Sequence, residues 1–197
     1  MTTPTPAVPV KEIATLPPLP RANGHLRLSQ RTGEPTRPWT VTVALVVMCL
    51  AAAVIAVFYG RHWWLAVHPP EYPTSALLVE WIAPDPGKWL SLTLEGVLAL
   101  IAFLAAGACG WAGFQGWNGW AFSRWAGLSA IVATGVAAAT FSPLALVAVG
   151  LATLSTVLLF LPVTARFFRD FAEHRHVPVT GWRRPEQIFY GRLPRFR

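Results

Sequence analysis

The residue best placed for chemistry is Glu95, the single ionisable group well inside an apolar run. A carboxylate at membrane depth is costly to bury and is a functional candidate by default. It can serve a proton- or cation-linked site facing other helices. It can equally sit near an interface, reach water, or pair with Lys88 or Arg61, because only about two helical turns separate it from a helix start at Pro86.

The other reactive types give weaker patterns. The five histidines, His25, His62, His68, His174 and His176, all fall outside the expected spans, so a haem axially held between membrane helices is not expected. His174-Arg175-His176 lacks Cys or carboxylate partners at zinc spacing, and no metal site is expected. Ser129, Ser142 and Ser155 lie in or near spans without a histidine at depth, so a nucleophilic triad is not expected. No phosphate-binding glycine loop occurs, and a lone acid cannot act as acid and base together. The chain reads as non-enzymatic, with no catalytic residue and no cofactor.

The elements that carry these residues follow from apolar length. Of 197 residues, 54% are hydrophobic and only 13% charged, about half the charge of a soluble domain. Four runs approach the roughly 20 residues needed to cross a hydrocarbon core. They predict an all-α integral membrane protein, a four-transmembrane-helix bundle over 39–165. The helices are expected at about 39–60, 86–112, 121–140 and 143–165. Aromatic belts mark headgroup depth: Trp39 at one end of the first span and Tyr59, Trp63 and Trp64 at the other. Phe114, Trp117, Trp120, Phe122 and Trp125 flank Arg124 in the turn between the second and third spans.

Local signals refine this plan. Pro69, Pro70 and Pro73 interrupt an outer loop over 61–85, within which Ser75–Ala83 can form a short helix carrying Leu77, Leu78 and Trp81. That helix suits either the membrane surface or the bundle mouth. Asp85 can cap the second span with Pro86 in its first turn, and Ser142-Pro143 offers the same signal for the fourth. Ala126, Ala130, Thr134 and Ala138 recur every four residues, which lets helix backbones approach closely and predicts the third span at the bundle centre. Cys49 and Cys109 read as small buried hydrophobes rather than a disulfide.

Charge sets the expected orientation. Residues 1–38 carry five cations against two acids, and 166–197 carry eight arginines against three acids. Segment 61–88 carries two cations against three acids. Basic ends and an acidic loop predict both termini on the cytoplasmic face of a cell membrane, which four crossings permit and an odd number would not. The same distribution argues against nucleic acid as a partner. Residues 1–38, with eight prolines, are expected to form a disordered tail. The first apolar run starts too late for a cleavable signal peptide. The excess of Arg over Lys, fourteen to two, hints at a bacterial source.

The basic C-terminal segment holds Arg183, Arg184, Phe189, Tyr190, Arg192, Arg195, Phe196 and Arg197. Arginine interleaved with aromatics suits anionic membrane lipids or an acidic partner. Small multidrug transporters also have four spans and one membrane acid, but no specific residues attach this chain to a named family. Their essential Glu lies in the first span, however, whereas Glu95 lies in the second, so no site is carried across. The expected role is an accessory or assembly subunit, bound to other membrane proteins or to itself. The alternative is a small-solute transporter or ion-coupled exporter that uses Glu95, as an oligomer.

Overall fold

A computed structural model describes residue 29 and residues 34–176. The described residues form six α-helices: α1 (Trp39–Ala66), α2 (Leu77–Ile82), α3 (Trp89–Trp117), α4 (Ser123–Phe141), α5 (Leu146–Phe160) and α6 (Pro162–His176). Short 3-10 turns at Tyr72–Thr74 and Pro143–Ala145 precede α2 and α5. No strand forms among the described residues. Four of their helical segments are long and apolar enough to cross a membrane: α1, α3, α4 and Pro143–Phe160. The protein is an all-α four-helix membrane bundle.

Helix ends sit where the backbone requires them. Pro38, extended and without an N–H, precedes α1. The helix then runs past Gly60 through Arg61 and His62 to Ala66 and stops before Pro69-Pro70. The span thus outlasts its hydropathy by about six residues, because no breaker lies there. Helix α3 begins at Trp89, not at Pro86; Pro86 and Gly87 form a turn instead, with Gly87 at φ +76°. Asp85 makes no cap bond and pairs with Lys88 at 2.5 Å. Ser142 does cap its helix: its Oγ accepts from the Leu144 N–H at 3.4 Å, and Pro143 follows in the first turn. Leu161, extended at ψ 145° ahead of Pro162, separates α5 from α6.

The spans form a ring. α1 packs between α3 and α5, and α4 packs between the same two helices on the opposite corner. The expected central position of the third span is therefore corrected, since no helix is central. Its small-residue face is nonetheless fully used, with Ala126, Ala130, Thr134 and Ala138 all buried. At Gly127 a Cβ would stand 2.7 Å from Thr156 Oγ1 on α5, so only glycine permits that approach.

Three stacked apolar clusters fill the ring. The middle one is built of small and flexible side chains: Met48, Ala51, Cys109, Ala112, Ala126, Ala130 and Ala152. One end, the loop end, holds Ile55, Tyr72, Val79, Leu94, Leu98 and Phe141. The tail end holds Val41, Ala44, Leu159, Phe167, Phe168 and Phe171. Polar bonds cross the helices as well. Ser155 Oγ donates to the Ala44 carbonyl at 2.7 Å, and the Thr40 and Thr164 hydroxyls meet at 2.8 Å. Such bonds are worth about 0.6 kcal/mol each in membrane proteins, up to about 1.7.

Large apolar side chains point outward along every span, from Val46 and Leu50 on α1 to Val157 on α5. Exposed tryptophans cluster at the two ends: Trp63, Trp64, Trp81 and Trp89 at the loop end, and Trp39, Trp120 and Trp125 at the tail end. α2 serves both expected settings. Val79 is buried and Leu78 packs against the bundle, while Leu77 and Trp81 face outward, Trp81 at 87% exposure.

The chain after the last span is not a plain tail at its start. Thr164, Phe167, Phe168 and Phe171 form the buried face of α6. That face docks on the tail end of the bundle, and Arg166 and Arg169 look away from it. The proline-rich segment and the arginine–aromatic segment from Arg183 to Arg197 lie outside the described residues, apart from the part of the former from residue 34 on and Ser29.

Candidate functional site

Glu95 lies six residues into α3, about 9 Å along the helix at 1.5 Å per residue. Its partner is neither Lys88 nor Arg61. His62 Nε2 and Glu95 Oε2 are 2.8 Å apart, which joins α1 to α3. His62 is 0% exposed, whereas the Glu95 side chain keeps 23% of its surface. The expectation that His62 falls outside the spans is therefore corrected. The helix continues past Gly60, and His62 falls seven residues after the buried Ile55, on the same inward face.

Aromatic rings fix the imidazole. Phe141 from α4 meets it edge-on with centroids 5.9 Å apart, and Tyr59 lies at 6.3 Å. Tyr59 and Phe141 also meet edge-to-face at 6.2 Å. Three spans thus converge on one ring, which loses the freedom to swing away from Glu95.

Tyr72, in the 3-10 turn of the connecting segment, completes the group. Its phenol is buried. Burial raises its pKa above the ordinary value of 10, and the nearby Glu95 charge and acceptor oxygen push it further the same way. The hydroxyl nevertheless makes no hydrogen bond of good geometry. The same holds for His62 Nδ1, Glu95 Oε1 and Ser75 Oγ, so four buried polar atoms at this end keep unused bonding capacity. Unused capacity of this kind is uncommon in folded proteins and clusters at functional sites.

Beside the group lies an open cavity of about 320 Å³. It is lined by Glu95 and Leu92 of α3, Trp63 and Ala66 of α1, and Tyr72 of the connecting segment, among others. Chemically the arrangement offers one carboxylate, an aromatic wall and a histidine held behind the carboxylate. Among the described residues, no three His, Cys, Asp or Glu side chains gather as metal ligands would.

The tail end carries a different arrangement, in which arginines hold helix ends. Arg37 donates from Nε to the Trp117 carbonyl at 3.3 Å and lies 4.6 Å over the Trp117 ring. Arg124 donates to the Leu159 carbonyl at 3.2 Å and faces Phe168 at 5.2 Å. Arg175 of α6 donates to the Asn118 carbonyl and stacks on Trp120 and Phe171, at 4.0 and 4.7 Å. Each bond meets a carbonyl that the end of a helix leaves unpaired, where a cation is favoured by the helix dipole.

Among the residues singled out from the sequence, Glu95 enters the loop-end group. The face of Ala126, Ala130, Thr134 and Ala138 serves packing between spans. Sequence reasoning missed His62, Tyr72 and the arginine clamp. The seven-residue step from Ile55 to His62 was the available signal. No protein-family model, curated protein or solved structure matches the chain.

Proposed function

We propose that this membrane protein is a non-catalytic accessory subunit of a larger membrane assembly, with both termini on the cytoplasmic side of a cell membrane. The observation that supports it is the way α6 is held. Its phenylalanine face is buried against the bundle, and Arg175 ties it to the turn between α3 and α4. The opposite face, with Arg166 and Arg169, is offered at a fixed place to other molecules or to anionic lipid headgroups. The middle of the bundle supports the same reading. Met48, Ala51, Cys109, Ala112, Ala126, Ala130 and Ala152 close it with apolar contact rather than a polar path.

Affinity purification of the intact chain in mild detergent tests the proposal. A stoichiometric membrane partner, released by Arg166→Glu together with Arg169→Glu, is the expected result. Recovery only as a bare monomer would overturn it.

A second reading, coupled transport of a small solute by an oligomer, draws on the His62–Glu95 pair beside an open cavity. It requires the middle cluster to part during a cycle. A flux or growth assay of Glu95→Gln decides it: activity equal to that of the unmutated chain removes Glu95 from any transport role.

A further inference from the structure

We infer that the loop-end cavity is a binding site for a small organic cation with an apolar body, an alkylammonium or arylalkylammonium group, with Glu95 as its counter-ion. The inference rests on the geometry of this site and holds whether the protein is an accessory subunit or a transporter.

The walls select the ligand. About 320 Å³ is at the small end of ligand pockets, and the lining is almost wholly apolar. Ala66, Leu92 and Pro69 would take hydrocarbon, while Trp63 and Tyr72 supply aromatic faces. Among the described residues, Glu95 is the sole charged residue of the lining. The neighbouring cation Lys88 is committed to Asp85 at 2.5 Å.

His62 Nε2 and Glu95 Oε2 meet at 2.8 Å, and His62 Nδ1 has no hydrogen-bond partner. Only Oε2 of the carboxylate is used; Oε1 has no partner. An apolar cavity with one under-used carboxylate and two aromatic walls favours an organic cation over a neutral solute or an anion, and aromatic faces add cation–π attraction. A hydrated metal ion fits poorly, since the lining offers few oxygen ligands.

Equilibrium dialysis of the full chain in non-ionic detergent tests the site, with benzyltrimethylammonium as probe and neopentylbenzene as its neutral isostere. Saturable uptake of one cation per chain is expected, with the isostere failing to compete. Glu95→Gln should weaken binding roughly tenfold or more, within the scale of one close charge pair at an effective dielectric constant of about 20. Trp63→Ala should weaken it about two- to fivefold. Leu92→Trp, at an exposed position, fills the cavity and keeps the carboxylate, and should also abolish uptake. Glu80→Gln, whose carboxylate lies outside the lining, should leave binding unchanged. Thermal melts in the same detergent establish that each variant is folded. Displacement of the probe by monomeric dihexanoylphosphatidylcholine assigns the site to a lipid headgroup, and saturable binding without such displacement assigns it to a free solute. Non-saturable uptake, equal binding of the isostere, or unchanged affinity in folded Glu95→Gln or Leu92→Trp would overturn the inference.

Discussion

Gly119→Ala should undock α6 while leaving the four spans in place. Gly119 has φ +69°, and a Cβ built there would stand 2.5 Å from Phe171 Cγ and 2.8 Å from Phe171 Cβ. Two costs add. A non-glycine residue in the left-handed region costs about 1–2 kcal/mol. The clash then expels a buried Phe171, whose apolar burial is worth about 1.5–3 kcal/mol. Arg175 would also lose one of its two ring contacts. Partial relaxation of the ring leaves a net loss of about 3 kcal/mol in the docking of α6. At about 1.4 kcal/mol per decade, the undocked population rises roughly a hundredfold. Trypsin cleavage at Arg166, Arg169 and Arg175, followed on the detergent-solubilised chain, reads that population. Gly107→Ala is the control, since a Cβ there meets nothing within 4 Å. The Gly119→Ala/Phe171→Ala double variant should be less than additive. A cleavage rate for Gly119→Ala equal to that of the control would refute the account of α6 as a docked helix.

Other perturbations probe the bundle. Gly127→Val should cost about 1–3 kcal/mol in detergent melts by driving α4 off Thr156, whereas Gly135→Val, with open space around it, should be close to neutral. A double-mutant cycle of His62→Phe and Glu95→Gln should return a coupling of about 1 kcal/mol, and a coupling of zero would remove the pair as a link between α1 and α3. Tyr72 has a raised pKa in the folded chain, so its contribution is intact below the ordinary value of 10 and is lost as pH climbs through the folded value. Alkaline melts should show that loss, and Tyr72→Phe should reduce it. The same variant should change stability little at neutral pH, because the buried hydroxyl it deletes makes no hydrogen bond of good geometry.

The four spans were legible because apolar length alone decides what lipid can solvate, and α4 ends within a residue of its expected limit at Thr140. Ser142-Pro143 was legible for a similarly local reason. The limits of α1 and α3 were not. Hydropathy falls at Arg61, yet the backbone continues until prolines stop it, and an inward-facing histidine is paid for by a carboxylate 33 positions away. That partner is invisible to any local window. The dock of α6 was half visible: Thr164, Phe167, Phe168 and Phe171 have helical spacing, but Arg166 and Arg169 among them read as the stop of a span. Glu95 could be placed by its type, while its partner required the ring of helices to be known.

Because the ring shuts between α1 and α5, its closing seam joins segments far apart along the chain. The Ser155 bond to the Ala44 carbonyl spans 111 positions and the Thr40–Thr164 contact spans 124. Until α5 and the start of α6 leave the ribosome, α1 has an open flank carrying a polar threonine and an uncovered carbonyl. A nascent chain stalled after α4 is thus an unfinished hoop, with one side of α1 still waiting for its neighbour.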